Sequence, residues 1–176
     1  EGEIIFDQKV ITNKTIRERA NLGIVYLPQE PSIFRNLTVL DNIKSAFEVQ
    51  KLAQRELSSR TEEIIEDFDI SSITSQKGSE LSGGQRRRVE IARSIALNPK
   101  FIMLDEPFAG IDPIAILELK KLIKKLSNKG LGILISDHNV KATMDICSEI
   151  FIISEGSIIS RGCLLYTSDA ADDVIS

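Results

Sequence analysis

Two short segments of the sequence contain the residue types that chemistry on a nucleotide needs. Residues 81–85 read Leu-Ser-Gly-Gly-Gln, and the apolar residues 101–104 are followed directly by Asp105 and Glu106. The glycines allow a backbone to approach a phosphate closely. The two carboxylates could serve a magnesium ion and an attacking water. Together the two segments indicate a protein whose work is driven by a bound nucleotide.

The first segment predicts a helix start that could bind an anion. Residues 85–97 have apolar side chains at helical spacing, so Ser82 would cap a helix whose first N–H groups favour an anion. Arg86, Arg87 and Arg88 lie in the first turn, where the helix dipole disfavours cations by roughly 0.3 to 1 kcal/mol each. A neighbouring anion would offset that cost. The alternative is an ordinary glycine turn followed by three solvated arginines.

The two carboxylates lie at the end of a predicted buried strand. Four apolar residues without alternation are typical of a parallel strand covered on both faces, and open α/β sheets bind ligands at the carboxyl ends of such strands. Because successive side chains of a strand point to opposite sides, Asp105 and Glu106 are expected to differ in role. Asp105 suits a magnesium ion, and Glu106 suits an attacking water. The alternative is a solvated strand end.

Two further polar residues follow apolar runs. Residues 133–136 predict a short strand, followed closely by His138, the only histidine of the chain. A histidine in that position could contact a γ-phosphate, although a single histidine is more often structural. Residues 22–27 predict a strand that ends at Pro28. The next residue, Gln29, could contact the metal or the water, or it could be a simple loop amide.

Five segments match, in the same order, the motifs of the ABC ATPases. They are 26–30 (Y-L-P-Q-E) for the Q-loop, 81–85 (L-S-G-G-Q) for the signature, 101–107 (F-I-M-L-D-E-P) for Walker B, 111–113 (I-D-P) for the D-loop and 136–138 (S-D-H) for the H-loop. The chain therefore resembles an ABC ATPase from about residue 2 to residue 162. Within that superfamily, it is most similar to the ATP-binding subunits of lipopolysaccharide exporters, and this similarity is carried by residues 23–30, 85–93, 106–113 and 136–140.

The resemblance implies roles for the residues around the carboxylates. Asp105 would bind Mg²⁺, and Glu106 would be the general base for water. His138 would sense or bind the γ-phosphate. Gln29 would contact the metal and connect the site to a transmembrane permease subunit.

The resemblance also implies a homodimer in which each ATP lies between two copies of the chain. Ser82, Gly83, Gly84 and Gln85 would bind ATP held by the second copy, and Asp112 would lie at the same seam. Assembly of the dimer would then be the catalytic switch, because such catalysis is mostly positioning and electrostatics. The protein would act at the cytoplasmic face of the inner membrane.

One motif of the superfamily does not occur in the sequence. The 176 residues contain no G-x-x-x-x-G-K-[ST] loop, which would hold the β- and γ-phosphates. Residues 1–7 resemble the stretch that follows this loop, so we expect a fragment that binds ATP poorly or not at all. Residues 163–176 fit no continuation of the family pattern. They resemble translated adaptor sequence, and we expect them to be a non-native tail.

The sequence predicts an α/β fold, namely a P-loop NTPase-like ABC nucleotide-binding domain with a parallel core sheet. Residues 1–162 would form this partial domain, with a helical subdomain at about 32–96. Strands are predicted over 1–27, and helical structure over 38–68 after a Thr38-x-x-Asp41 cap. From residue 101 onward, strand and helix patterns alternate. A helix capped by Asp112 and begun by Pro113 would end at Gly130, with Leu119, Leu122, Ile123 and Leu126 on its inner face.

Composition limits the partners. The net charge of −4 gives no general attraction to nucleic acid, and the two cysteines form no C-x-x-C. No apolar run approaches the roughly 18 residues that span a bilayer, so any pore would belong to other chains. The resemblance places the membrane partner at the segment that follows Gln29. Most of its apolar residues are expected to pack internally, with Phe34 and Leu37 exposed for contact.

Three alternative functions are considered. The first is the ATPase of another transporter, for example one for branched-chain amino acid uptake. The second is a soluble ABC protein acting on ribosomes or DNA, which should show a second cassette or long coiled coils. The third is a non-catalytic relic, which the presence of both Glu106 and His138 opposes.

Overall fold

The computed structural model describes residues 2–48, 50 and 52–163. The chain forms two compact units, one that ends at Asp137 and one that begins at His138. Of the predicted tail at 163–176, only Cys163 is described, as the last residue of a strand. The prediction for residues 164–176 lies outside the described residues.

The first unit contains ten helices and strands within its described residues. In chain order they are β1 (Ile5–Phe6), β2 (Lys9–Val10), α1 (Ile16–Asn21), β3 (Ile24–Leu27), α2 (Val39–Glu48), α3 (Gln54–Asp67), α4 (Gly83–Ala96), β4 (Phe101–Asp105), α5 (Pro113–Asn128) and β5 (Gly132–Ser136). Two short 3₁₀ helices, Ser71–Ile73 and Gly78–Glu80, lie between α3 and α4. The second unit contains α6 (Val140–Met144), β6 (Glu149–Ser154) and β7 (Ser157–Cys163).

A parallel three-stranded sheet in the order β3-β4-β5 positions the carboxylates. The central strand β4 buries Ile102 and Leu104, which are 1% and 2% exposed. The run predicts a strand covered on both faces, and in the structure the alternate residues Phe101 and Met103 are only partly buried. The register pairs Leu27 with Leu104 and Asp105 with Ser136, so the carboxyl ends of all three strands meet at one edge. The predicted parallel core sheet is confirmed.

The segment predicted as helical over 38–68 contains two helices. The Thr38 cap is present, because the Asp41 N–H donates to Thr38 Oγ1 at 3.1 Å. Helix α2 ends at Glu48, and α3 begins at Gln54. Val39, Ile43 and Phe47 of α2 are almost fully buried. Together, α2, α3 and α4 pack into a helical layer inside the range predicted for the helical subdomain.

Helices α4 and α5 begin where their capping residues predict. Ser82 Oγ accepts the Gln85 N–H at 3.3 Å, and the Gln85 side chain accepts the Ser82 N–H at 3.0 Å. Asp112 Oδ1 accepts the N–H groups of Ile114 and Ala115 at 3.1 and 2.9 Å. The four predicted inner residues of α5 are buried. Its end is marked by Gly130 at φ +92°, a conformation that glycine adopts without strain.

The prediction of strands across residues 1–27 is wrong in its middle part. Only the short β1-β2 hairpin and β3 are strands, and α1 occupies Ile16–Asn21. The Thr15 side chain accepts the Glu18 N–H at 3.3 Å, while Glu18 Oε2 accepts the Thr15 N–H at 2.8 Å. This reciprocal capping box follows the Thr-x-x-Glu pattern, which is a recognisable helix-start signal. The pattern Thr15-x-x-Glu18 could therefore have corrected the prediction.

The second unit is built on an antiparallel pair of strands. Strands β6 and β7 pair from Glu149 with Cys163 to Ser154 with Ser157, with an irregularity between Ile152 and Ile153. The short helix α6 precedes them and is capped by Asn139, whose Oδ1 accepts the Ala142 N–H at 3.1 Å. Among the described residues, no helix combines the length and apolar character that crossing a membrane requires.

Candidate functional site

The two carboxylates lie at the shared carboxyl end of the sheet. Asp105 is the last residue of β4, and the Glu106 N–H donates to the Ser136 carbonyl at 2.7 Å. Both side chains are partly exposed. Glu106 has φ +41°, which is uncommon for a residue with a Cβ and is frequent at functional sites. The backbone therefore turns away from the strand direction at the residue that would act on water.

Each carboxylate has its own hydrogen-bond donor from the first core strand or the residues just after it. Tyr26 Oη donates to Asp105 Oδ2 at 2.8 Å, and Gln29 Nε2 donates to Glu106 Oε2 at 2.8 Å. The hydrogen bond to Asp105 raises the pKa of Tyr26, because the ionised phenol could no longer donate this hydrogen bond and its negative charge would face that of Asp105. The structure thus brings Gln29, Asp105 and Glu106 together and gives the two carboxylates different partners.

The oxygen ligands at this edge suit a hard cation such as Mg²⁺. Asp105 and Glu106 offer carboxylate oxygens, and Gln29 offers an amide oxygen, the donor types that Mg²⁺ prefers. Among the described residues, no three His, Cys, Asp or Glu side chains form a ready-made metal cage. In proteins, Mg²⁺ is usually held by one or two carboxylates together with substrate phosphates and waters.

A cleft of about 140 Å³ connects Glu106 with the start of α4. Its lining includes Gln29, Glu106, Gly83, Arg86 and Gly110. Within a single chain, Glu106 and Gly83, the first residue of α4, therefore border the same space.

Packing within the chain leaves little room for a side chain at the two glycines that start α4, above all at Gly84. A Cβ added to Gly84 would lie 2.4 Å from the Ala115 Cβ, and one added to Gly83 would lie 3.2 Å from the Gly110 carbonyl oxygen. Both glycines are half-buried, while Ser82 is exposed. The close approach of α4 to α5 is thus a second reason for glycine at position 84, beside the contact with a phosphate predicted from the sequence.

The interpretation of three solvated arginines is wrong for Arg87. This side chain is 6% exposed, and it donates to the carbonyls of Pro28 and Asp105 at 2.8 and 2.6 Å. Arg88 contacts the carboxylates of Glu118 and Asp69 instead. For Arg87 and Arg88, the neighbouring anions are therefore carboxylates of the chain itself. An Arg-x-x-Glu pair at positions 87 and 90, on the helix face that also carries buried apolar residues, was the available sequence signal.

Two further predicted site residues, Asp112 and His138, are exposed. The Asp112 carboxylate caps α5. His138 belongs to the second unit, where its carbonyl accepts the Val140 N–H at 3.0 Å. The roles predicted for Asp112 at a dimer seam and for His138 at a γ-phosphate stay predictions.

The segment after Gln29 presents an aromatic side chain at the surface. Phe34 is 51% exposed and Leu37 is 39% exposed, whereas Ile33 and Val39 are buried. The Arg93 guanidinium lies 4.6 Å from the centre of the Phe34 ring, a cation–π arrangement that orients the ring. The expected exposure of Phe34 and Leu37 is therefore observed, and their contact with a partner stays a prediction.

Comparison with known proteins gives one consistent relationship. The ABC transporter family model matches residues 1–109. The chain is 50% identical over 163 residues to the lipopolysaccharide export system ATP-binding protein LptB of Haemophilus influenzae, covering 92% of this chain and 68% of that protein. It is 47% identical over 162 residues to LptB of Escherichia coli, covering 92% of this chain and 67% of that one.

Solved structures of ATP-binding cassettes share the fold. The ADP conformation of MJ1267, an ATP-binding cassette of an ABC transporter, is 30% identical with a TM-score of 0.80 over 93% of this chain and 69% of that one. CbiO1 from Clostridium perfringens, part of the ABC transporter complex CbiONQ, is 28% identical with a TM-score of 0.84 over 93% of this chain and 66% of that one.

Proposed function

Because the chain belongs to the ABC transporter family of ATP-binding proteins, we propose that it is the ATP-hydrolysing subunit that powers lipopolysaccharide export. The hydrolytic part rests on one observation, the contact of Gln29 with Glu106 beside Asp105 at the end of a parallel sheet. The exported substrate rests on the identity of 47 to 50% with the LptB proteins.

The proposed site would divide the work of hydrolysis among four side chains. Asp105 and Gln29 would hold Mg²⁺, which neutralises phosphate charge when it is bound. Glu106 would accept a proton from the attacking water, and Gln29 would orient that water through the contact it already makes with Glu106. His138 would donate a hydrogen bond to the γ-phosphate.

The active assembly would be a homodimer attached to permease subunits. In this proposal, Ser82, Gly83, Gly84 and Gln85 bind the ATP of the second copy, and Asp112 lies beside them. The exposed Phe34 would contact the permease, and the subunit would work on the cytoplasmic face of the inner membrane. Because Phe34 lies five residues after Gln29, the permease contact and the catalytic glutamine share one short segment.

The test of hydrolysis uses a fusion in which the phosphate-binding loop segment of a relative precedes Glu1. In this fusion, Glu106→Gln should retain ATP binding and lose about 100-fold or more of the hydrolysis rate, because a positioned general base contributes that much. Glu62→Gln, at an exposed carboxylate on α3, is the matched control for the lost charge. Full hydrolysis by the Glu106→Gln fusion would contradict the assignment.

The exported substrate needs a separate experiment. In Escherichia coli depleted of its own LptB, the fusion should restore delivery of lipopolysaccharide to the cell surface, and its Glu106→Gln variant should not. A fusion that hydrolyses ATP at a normal rate and associates with the permease, yet restores no delivery, would indicate a transporter for another substrate.

A further inference from the structure

Arg87 and Glu90 form a buried ion pair on the face of α4 that is turned toward the sheet. They are 6% and 3% exposed, and Arg87 Nη1 lies 3.4 Å from Glu90 Oε2. Burial lowers the pKa of Arg87, and the Glu90 carboxylate acts in the opposite direction. The attraction within a buried pair often fails to repay the loss of hydration. The other hydrogen bonds of Arg87 and Glu90 therefore decide whether burial of the pair is compensated.

Arg87 spans the two backbone positions that carry the catalytic pair. Its Nη1 donates to the Pro28 carbonyl at 2.8 Å, and its Nη2 donates to the Asp105 carbonyl at 2.6 Å. The residues that follow these carbonyls are Gln29 and Glu106, whose side chains are hydrogen-bonded to each other at 2.8 Å. A rigid, planar guanidinium thus fixes the separation of the two points from which these side chains extend.

Glu90 binds the backbone three and four residues after Gln29. Its Oε1 accepts the N–H groups of Ser32 and Ile33 at 2.8 and 3.2 Å. The Arg93 Nη2 donates to the Ser32 carbonyl at 2.5 Å. Side chains of α4 therefore form hydrogen bonds to the backbone on both sides of Gln29.

We propose that Arg87, with Glu90 as its counter-ion, is a positioning residue that sets Gln29 against Glu106. Its effect on hydrolysis rests on the proposed function, whereas its effect on the Gln29 side chain does not. Arg87 lies on α4, the helix that begins at Gly83 and would contact the ATP of the second copy in the proposed dimer. Arg87 therefore also connects this helix start to Glu106 of its own chain.

The test replaces the guanidinium with a single cationic donor. In the fusion, Arg87→Lys keeps a positive charge beside Glu90, but an ammonium cannot reach both carbonyls with a fixed geometry. We expect kcat to fall at least tenfold while KM for ATP changes less than twofold. The matched control is Arg60→Lys, because Arg60 is a half-buried arginine of α3 that contacts Gln50 and the Phe47 ring. That variant should leave both constants unchanged.

A second measurement reads the Gln29 side chain directly. Its side-chain amide signal can be identified by nuclear magnetic resonance through its loss in Gln29→Glu. Arg87→Lys should shift this signal, and Arg60→Lys should not.

The outcomes separate the two proposals. An unchanged kcat or an unchanged Gln29 signal in a folded Arg87→Lys fusion would overturn the role of Arg87. A decrease in kcat that only follows the loss of folded protein would overturn it as well. If the parent fusion hydrolyses no ATP, the proposed function fails, and the Gln29 signal alone decides whether Arg87 positions this side chain.

Discussion

At the scale of single residues, the site separates two neighbouring carboxylates by their partners. Asp105 accepts a hydrogen bond from Tyr26, and Glu106 accepts one from Gln29. The alternation of side chains along a strand predicts such a division. The positive φ of Glu106 adds a turn that the alternation does not predict. Two adjacent acidic residues can therefore take different roles, one toward a metal ion and one toward a water.

The Tyr26 phenol reports on the state of Asp105. In a Tyr166→Phe background, Tyr26 is the only tyrosine, so its ionisation can be followed by ultraviolet absorbance. We expect Asp105→Asn to lower the pKa of Tyr26, because the variant removes the carboxylate that accepts the phenol's hydrogen bond and whose negative charge disfavours ionisation of the phenol. The titration covers the pH range in which circular dichroism shows the fold to be retained.

A carboxylate elsewhere provides the control for this titration. Asp7 pairs with Lys100 at 2.7 Å, so Asp7→Asn removes the same charge without touching the phenol. Its Tyr26 pKa should match that of the parent. Equal pKa values in the Asp105→Asn variant and the parent would show that the hydrogen bond between Tyr26 and Asp105 is absent in solution.

At the scale of helices and strands, the predictions succeeded where one local signal determined the element. The apolar run before Asp105 predicted a buried parallel strand, and β4 is a parallel strand at the centre of the sheet. The Asp112-Pro113 start fixed α5 in the same way. Helix α1 was missed because its residues include no buried apolar face, so the capping residues Thr15 and Glu18 were the only signal. Where the apolar periodicity of a helix is weak, its capping residues are the better sequence signal.

The role of Arg87 lay beyond the sequence because its partners are backbone carbonyls. They belong to Pro28 and Asp105, which are 59 and 18 residues away along the chain. Any residue has a carbonyl, so nothing in the sequence marks these acceptors. The sequence predicted that Gln29 and Glu106 belong to one site, but it did not predict the hydrogen bond between them. That contact depends on the register in which β3 pairs with β4.

The contact between α4 and α5 gives Gly84 a role that can be separated from ligand binding. Gly84→Ala should destabilise the fold by about 1 to 3 kcal/mol, because the added Cβ would overlap the Ala115 Cβ. Adding Ala115→Gly should recover part of that loss, although glycine within a helix itself costs about 1 kcal/mol. Urea denaturation of the parent, both single variants and the double variant measures the coupling between the two positions.

Strict additivity in this cycle would contradict the packing role of Gly84. The position would then need glycine for the approach of a ligand alone. Gly156→Ala is a poor control because that glycine has φ +77°, whereas Gly2 has open space around it and an ordinary backbone. Gly2→Ala should therefore leave stability unchanged and show no coupling with Ala115→Gly.

At the scale of the whole molecule, the described residues supply one part of a nucleotide site. The sheet edge offers oxygen atoms from Gln29, Asp105 and Glu106, which suit a cation but repel the phosphates of ATP. The helix start at Gly83 and Gly84 serves a second copy in the proposed assembly. Tight binding of phosphates needs a cradle of N–H groups and a lysine, and the 176 residues contain no G-x-x-x-x-G-K-[ST] loop.

We therefore expect the 176-residue chain to bind ATP with Mg²⁺ more weakly than about 1 mM, which corresponds to about 4 kcal/mol of binding free energy. Isothermal titration calorimetry of this chain and of the fusion with a relative's loop measures the difference. The fusion should bind at least tenfold more tightly, because the loop adds donors facing the phosphates while the carboxylate edge stays the same. Glu106→Gln in the 176-residue chain removes one repelling charge but adds no cradle, so its affinity should stay weak. Sub-millimolar affinity of the unfused chain would mean that Gln29, Asp105 and the bound Mg²⁺ hold the phosphates without the loop.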